Sequence, residues 1–407
     1  MLDPDYLLRV SEGAEDIAEK LHTDIIKRIV KRIMLRIGRG DDYLLTAQDK
    51  WQIENLQQAG YLLEDIQKDI IKATGLQMTE IAEAFEDAGV TALEYDDKVY
   101  KAAGLSPKPL AQSPELIRLM QRGYEATAYE WQNFTQTTAD AAQRLFLQEI
   151  DKAYNLVATG SLSYTAALKE VINEIVSEGV KVRYTNPDTG RVWEDTIETA
   201  TLRAIRTGVS QACADITDAR MEEMDWDIIL VSSHLGARVT DREDYTNHYW
   251  WQGKFYSKSG KDDRFPPYSV CGFGNIRGIH GANCRHSHGP GDGEFNPFDH
   301  YDSEENKKAY ELSQQQRAME RKIRHSKQKA MGLKEAVDNS KDESIKQAMD
   351  TLYQKQAAAL QQQNAKYKEF CAENNLKPLQ ERLMVAKWDR QQAAAARGAA
   401  RRYENAK

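Results

Sequence analysis

The side chains best able to do chemistry are concentrated between Ser232 and Pro290, where His234, His248, His280, His286 and His288 accompany Cys271 and Cys284. Cys284 and His286 lie two apart at the end of Gly281-Ala282-Asn283-Cys284-Arg285-His286. Thiolate and imidazole are the ligands zinc prefers, so these two with His248 and His280 form one candidate metal set. Cys-x-His is not the paired spacing of a zinc finger, and Cys271 stands thirteen residues before Cys284. A cysteine near histidine can also act as nucleophile and base, and His234, Arg238 and Lys254 could bind a phosphate or build a nuclease-like site. No Gly-x-x-x-x-Gly-Lys-Ser/Thr loop, His-Glu-x-x-His or paired-acid motif completes a catalytic constellation. Phe273-Gly274-Asn275 and Gly289-Pro290-Gly291 read as turn formers before they read as phosphate cradles.

A third chemistry is purely structural. Asn283, Arg285 and His286 can satisfy carbonyls and carboxylates around a loop that packs Trp250, Trp251, Phe255 and Tyr256. This reading is favoured. It makes Ser233, His234, Gly236, Arg238, Trp251, Gln252, Gly253, Lys254, Asn283, Cys284, Arg285 and His286 a structural motif, with no catalytic residue and no required cofactor, zinc remaining the alternative.

The elements that must position these residues are mostly helices. Val10, Ala14, Ile17, Leu21, Ile25, Ile29 and Ile33 recur at spacings of three and four, predicting a helix over 5–37. Further helices are expected over 46–74 and 79–88. Another opens at Ser113-Pro114-Glu115, with Ser113 capping and Pro114 in the first turn, and passes Phe134. Others follow over 138–157 and, after a break at Gly160-Ser161-Leu162-Ser163-Tyr164, up to Gly179. Lys181–Tyr184 and Arg191–Glu194, joined through Asn186-Pro187-Asp188-Thr189-Gly190, predict a hairpin. After a helix over 196–224, the apolar run 226–231 reads as a buried strand delivering His234 to its end. Beyond Pro297 the chain turns Gln-, Lys-, Glu- and Ala-rich, with helices expected over 303–334 and 342–374 and a last one carrying Leu383, Val385 and Trp388. The expected fold is mainly α: an extended helical N-terminal region (1–110), a helical region with a β-hairpin near 181–194 (111–227), a small α+β His/Cys module (228–300) and a long helical C-terminal arm (301–407).

The 407 residues are 41% hydrophobic and 29% charged, which suits extended helices better than one large core. No apolar run reaches about 18 residues and the N-terminus lacks a charged start before an apolar stretch, so neither a membrane span nor a classical secretion signal is expected. Four scattered cysteines fit reduced thiols in a cytosolic setting. The net charge of −8 argues against wrapping of nucleic acid by the whole molecule, but the charge is segregated. Residues 41–100 hold 14 acids and 4 bases, 316–334 hold 8 bases with His325 included against Glu320 alone, and 381–407 hold 7 bases and 3 acids. Arg317, Arg321 and Arg324 share a helix face and form a candidate contact for phosphates or for an acidic protein surface, the second being preferred. The cations Lys27, Arg28, Lys31, Arg32 and Arg36 suit the negative end of the first helix, with an acidic partner, DNA or a membrane surface as the alternative.

With these patterns assembled, the chain resembles the phage minor capsid protein 2 family. The likeness is carried by Phe146–Tyr154, Gly160-Ser161-Leu162-Ser163-Tyr164, Arg203–Val209, Val231–Arg238, Trp251-Gln252-Gly253-Lys254, Asn283-Cys284-Arg285-His286 and, in the arm, Glu320–Arg324. The module is also distantly similar to the Mu-type head morphogenesis domain. Between Arg238 and Trp250 the chain departs from the family it resembles, residues 239–249 forming a longer linker than usual. The resemblance implies a low-copy structural protein of a tailed-phage head, made in the host cytoplasm and built into the virion as part of a multi-copy assembly. It would contact the portal or other capsid proteins, with packaged double-stranded DNA a further candidate partner. A virion-carried effector enzyme using the module is the alternative.

Overall fold

The computed structural model describes residues 1–37, 48–185, 190 and 192–406. Among the described residues helix makes up 69% and strand 5%, so the fold is mainly α as expected. The helices are α1 (Pro4–Arg9), α2 (Glu12–Ile37), α3 (Gln48–Ala102), α4 (Pro114–Ala158), α5 (Tyr164–Glu178), α6 (Ile197–Glu223), α7 (His248–Trp251), α8 (Ser303–Asn339), α9 (Glu343–Glu373) and α10 (Arg390–Asn405). The strands are β1 (Lys181–Thr185), β2 (Val192–Thr196), β3 (Ile228–Val231), β4 (Phe255–Ser257) and β5 (His288–Pro290). The chain divides into two compact units, one of residues 1–15, 76–132 and 201–315, the other of residues 16–75, 133–200 and 316–407.

Several helix boundaries differ from the spacing pattern for identifiable reasons. The N-terminal stripe is cut after Val10 into α1 and α2, and Asp3 caps α1 by accepting from the amides of Asp5 (2.7 Å) and Tyr6 (3.2 Å). The expected gap between 74 and 79 does not exist, because α3 runs unbroken through Gly75, which the helix tolerates at an exposed position. Nor does α4 break near 134–138. There Thr137 turns its hydroxyl back onto the carbonyls of Asn133 (2.6 Å) and Phe134 (3.1 Å), as threonine can within a helix. Pro114 is the first residue of α4, but the Ser113 hydroxyl donates to the Pro109 carbonyl (3.2 Å). Leu383, Val385 and Trp388 precede the last helix. Glu381–Leu383 form a 3-10 turn, and α10 begins at Arg390 after Asp389 accepts from the Gln392 amide. The turn residues 186–189 and Arg191 lie outside the described residues.

The second unit is built on apolar stripes. In α5, Ser163 caps the start by accepting from the Ala166 amide, and Tyr164, Ala167, Leu168, Val171, Ile172, Ile175 and Val176 are buried at helical spacing. Each large side chain removed from water in this way stabilises by about 1.5–3 kcal/mol. Gly179 stops the helix with a φ of 66°, a left-handed conformation that glycine adopts without a Cβ penalty. The antiparallel pair β1–β2 follows, with Val182 opposite Asp195. His22 of α2 joins these elements: its Nε2 accepts from the Val180 amide (3.0 Å) and its Nδ1 faces the Glu198 carboxylate at 2.9 Å. Arg28 and Arg32 of α2 pair with Asp69 and Asp65 of α3, and Lys27 lies 3.9 Å from Glu335. The partner of that basic helix end therefore includes carboxylates of the same unit.

In the first unit a three-stranded antiparallel sheet has β3 at its centre, Leu230 facing Phe255 of β4 on one side and Gly289 of β5 on the other. Ile229, Leu230 and Val231 are buried, as an uninterrupted apolar run between two neighbours requires. Tyr100, Met221, Trp251, Tyr256, Tyr268, Cys271, Ile279 and Cys284 pack with Ile229 and Val231 into one core cluster.

Candidate functional site

At the end of β3 the chain turns from ladder bonds to side-chain bonds. The Ser232 amide donates to the Ser287 carbonyl (2.9 Å) and its hydroxyl accepts from the Ser287 amide (2.9 Å), which carries the β3–β5 pairing beyond the strands. Ser233 donates to the Asp299 carbonyl (2.7 Å) and packs against Gly253. Gly253 has a φ of 63° and would place a Cβ 3.1 Å from that of Ser233, and both features favour glycine. Gly236 and Ala237 both present their amides to one acceptor, Asn306 Oδ1, at 2.8 and 2.9 Å, and Asn306 Nδ2 returns a bond to the Ala237 carbonyl at 3.1 Å. Asn306 is buried, belongs to α8 and has no motif to announce it.

Gln252 holds the centre. Its Oε1 accepts from the His234 amide (3.1 Å) and from His286 Nε2 (2.9 Å). A backbone amide can only donate, which fixes the amide oxygen as the inward atom and puts the His286 proton on Nε2. His286 Nδ1 then faces Cys284 Sγ at 3.6 Å. His248, first residue of α7, has its Nε2 at 2.9 Å from the Arg277 carbonyl and, more distantly, at 3.4 Å from Arg238 Nη1. A carbonyl can only accept, so the shorter contact puts a proton on that nitrogen too. The imidazoles are bracketed by aromatic contacts: His234 stacks on His286 with centroids 4.4 Å apart, and Trp251 lies 4.6 Å from His248 and 4.8 Å from His286. Trp251 donates to the Tyr245 carbonyl (3.1 Å).

The cations of the motif are tied down. Arg238 donates to the carbonyls of Arg277 (3.2 Å) and Ala282 (3.3 Å), Arg285 to His234 Nδ1 (3.0 Å), and Lys254 to the Trp250 carbonyl (2.6 Å). Asn283 is exposed and supplies the left-handed turn, with a φ of 62°, that leads into Cys284. Asparagine is among the few residues other than glycine that enter this region readily.

Of the candidate metal ligands, His248, Cys284 and His286 converge, with one ligand atom from each lying within 4.8 Å of the others, all three buried. His280 does not join them. Its backbone is also left-handed, with a φ of 57°, and its ring lies between Ser210 Oγ (2.8 Å) and His288 Nδ1 (2.9 Å). Tyr268 OH meets the same His288 nitrogen at 2.9 Å, and His288 Nε2 lies 3.5 Å from Asp218, so a second, separate chain of buried polar groups runs through the module.

Burial pushes the Cys284 thiol up to about 11, against the pull of the nearby Arg238 and Arg285. Burial, reinforced by Arg238, pushes His248 down to about 4, and burial with the neighbouring histidines holds His286 well below its ordinary value. A protonated, enclosed thiol is a poor nucleophile although an imidazole stands beside it. Most cations of the basic stripe of α8 are half-buried and engaged within the unit. Arg324 donates to the Arg382 carbonyl (3.4 Å), and Arg382, Arg324 and Arg317 surround the buried Glu320 carboxylate, which accepts from Tyr367 OH (2.9 Å). Lys327 bonds the Leu383 carbonyl and Lys329 bonds Ser177 Oγ, whereas Arg321 and Lys322 are exposed.

Comparison with curated proteins and with solved structures returned no match. The profile described as Phage minor capsid protein 2 matches residues 2–372, a span that contains the whole module, the tied-down Arg238–Gln252–His286 constellation and the helices that frame it. The chain therefore belongs to the phage minor capsid protein 2 family.

Proposed function

We propose that this protein is a minor structural component of a tailed-phage head, seated at the portal or head opening in several copies and made in the host cytoplasm before assembly. The family supports a structural role in the capsid. The observation that carries the reading beyond the family is the use of the motif: Ser233, Arg238, Gln252, Lys254, Arg285 and His286 each form a hydrogen bond with a group of the module. A motif so engaged orders a rigid body and leaves helix faces to meet partners. Mass spectrometry and cryo-electron microscopy of purified particles test it. We expect a few copies at the portal vertex, and absence from mature particles would overturn the assignment.

Packaged DNA is a second candidate partner. Its support is the exposed cationic surface of the second unit, where Arg321 and Lys322 of α8 and Arg390, Arg397 and Arg401 of α10 face solvent. An acidic protein surface would suit the same cations.

A further inference from the structure

We infer that His248, Cys284 and His286 form a binding site for a zinc-like divalent cation inside the module. The three residues come from α7 and from the segment entering β5, and their ligand atoms converge in a buried site. In a tetrahedral centre with Zn–S of about 2.3 Å and Zn–N of about 2.0–2.1 Å, sulfur and nitrogen stand roughly 3.5 Å apart. Cys284 Sγ and His286 Nδ1 are separated by 3.6 Å.

The surroundings supply the second requirement of such a site. A metal-binding histidine presents one nitrogen to the cation and gives the other N–H to a carbonyl or carboxylate, which sets its tautomer and aim. His286 has that arrangement, and His248 has its hydrogen-bonded half. His286 Nε2 donates to Gln252 Oε1, itself fixed by the His234 amide, and His248 Nε2 donates to the Arg277 carbonyl. Each ring therefore keeps an unprotonated Nδ1. Cys284 is the residue that must change: on binding, its Sγ–H bond breaks, the sulfur forms the metal bond, and the proton leaves to solvent. Thiolate with two imidazoles selects zinc over magnesium or calcium, which take oxygen ligands. With three protein ligands, one coordination position is left to a water molecule.

A thiol–imidazole hydrogen bond without metal is the competing account of the 3.6 Å contact. Elemental analysis of the full chain, purified without chelators, separates the two. We expect about one zinc per chain by the stoichiometry of a single site. Replacement by Co2+ should give the ligand-field bands of a tetrahedral centre and a thiolate charge-transfer band. Cys284→Ser should abolish that band, and His280→Gln, outside the centre, should leave metal content unchanged. Wild-type protein that retains no metal, gives no thiolate–cobalt band and has the same Tm with and without chelator would overturn the site. Because the decisive readings are made on the wild type, failure of Cys284→Ser to fold does not obscure the result.

Discussion

Single residues carry the module more than its short strands do. Asn306 is the clearest case, since one buried amide satisfies two backbone N–H groups and one carbonyl of the Gly236–Ala237 turn. Asn306→Ala would strand these groups away from water, and each such loss costs about 1–3 kcal/mol. We expect a fall in Tm of several degrees for the alanine variant and no rescue by Asn306→Asp, which keeps the acceptor but sets a buried carboxylate oxygen against the Ala237 carbonyl. Equal Tm values for wild type and Asn306→Ala would contradict this account of the turn. None of it is legible in the sequence, because Asn306 lies 70 residues from Gly236 on a polar helix and its type carries no pattern. The density of histidines and cysteines does mark the right segment. Their division into two networks is not readable, because the left-handed backbone at His280 turns that ring toward Ser210 and His288 instead of Cys284.

At the scale of elements, period and punctuation in the sequence locate helices better than they locate breaks. Gly160 to Tyr164 and Gly179 mark both ends of α5, whereas Gly75 and the threonines after Phe134 suggest ends that long helices absorb. The difference is conformational. Gly179 sits at a φ of 66°, with the His22 ring 3.1 Å from where a Cβ would be, while Gly75 is helical with open space around it. Gly179→Ala should therefore cost about 1–3 kcal/mol through strain at a positive φ, and Gly75→Ala should stabilise by about 0.5–1 kcal/mol. Chemical denaturation of the two variants checks both signs. The same corner has a pH signature. Burial raises the Glu198 carboxyl, but the His22 ring and the hydrogen bonds the carboxylate receives outweigh burial and hold it below its ordinary value. A carboxylate depressed in the folded state contributes stability that is present above its unfolded value, about 4.3, and is lost as pH falls through the lower folded one. The stability advantage of wild type over Glu198→Gln should thus be full at neutral pH and shrink below about pH 4. A pH-independent difference would show that the ionised carboxylate is not the stabilising species.

For the whole molecule, the net charge of −8 conceals a partition that follows the two units. The unit carrying the module holds 32 acidic and 19 basic residues, a net −13, and the other holds 31 acidic and 36 basic, a net +5. A polyanion is therefore repelled by one unit and attracted by the other at distances within a Debye length. Within the basic unit, Arg317 and Arg324 lie around Glu320, so their replacement should lower stability before it alters any contact. Arg390, Arg397 and Arg401 differ. Spacings of seven and four put them on one exposed face of α10, while Ala396, Ala399 and Ala400 are buried on the other. Changing these three to Gln should leave the stability within about 0.5 kcal/mol of wild type. If packaged DNA is their partner, duplex affinity at low salt falls and the slope of log affinity against log salt becomes shallower by about 3, close to one counterion per lost phosphate contact. If an acidic capsid surface is the partner, neither protein binds duplex DNA and the triple variant instead fails to enter heads. Unchanged DNA binding together with unchanged incorporation would remove α10 from both roles.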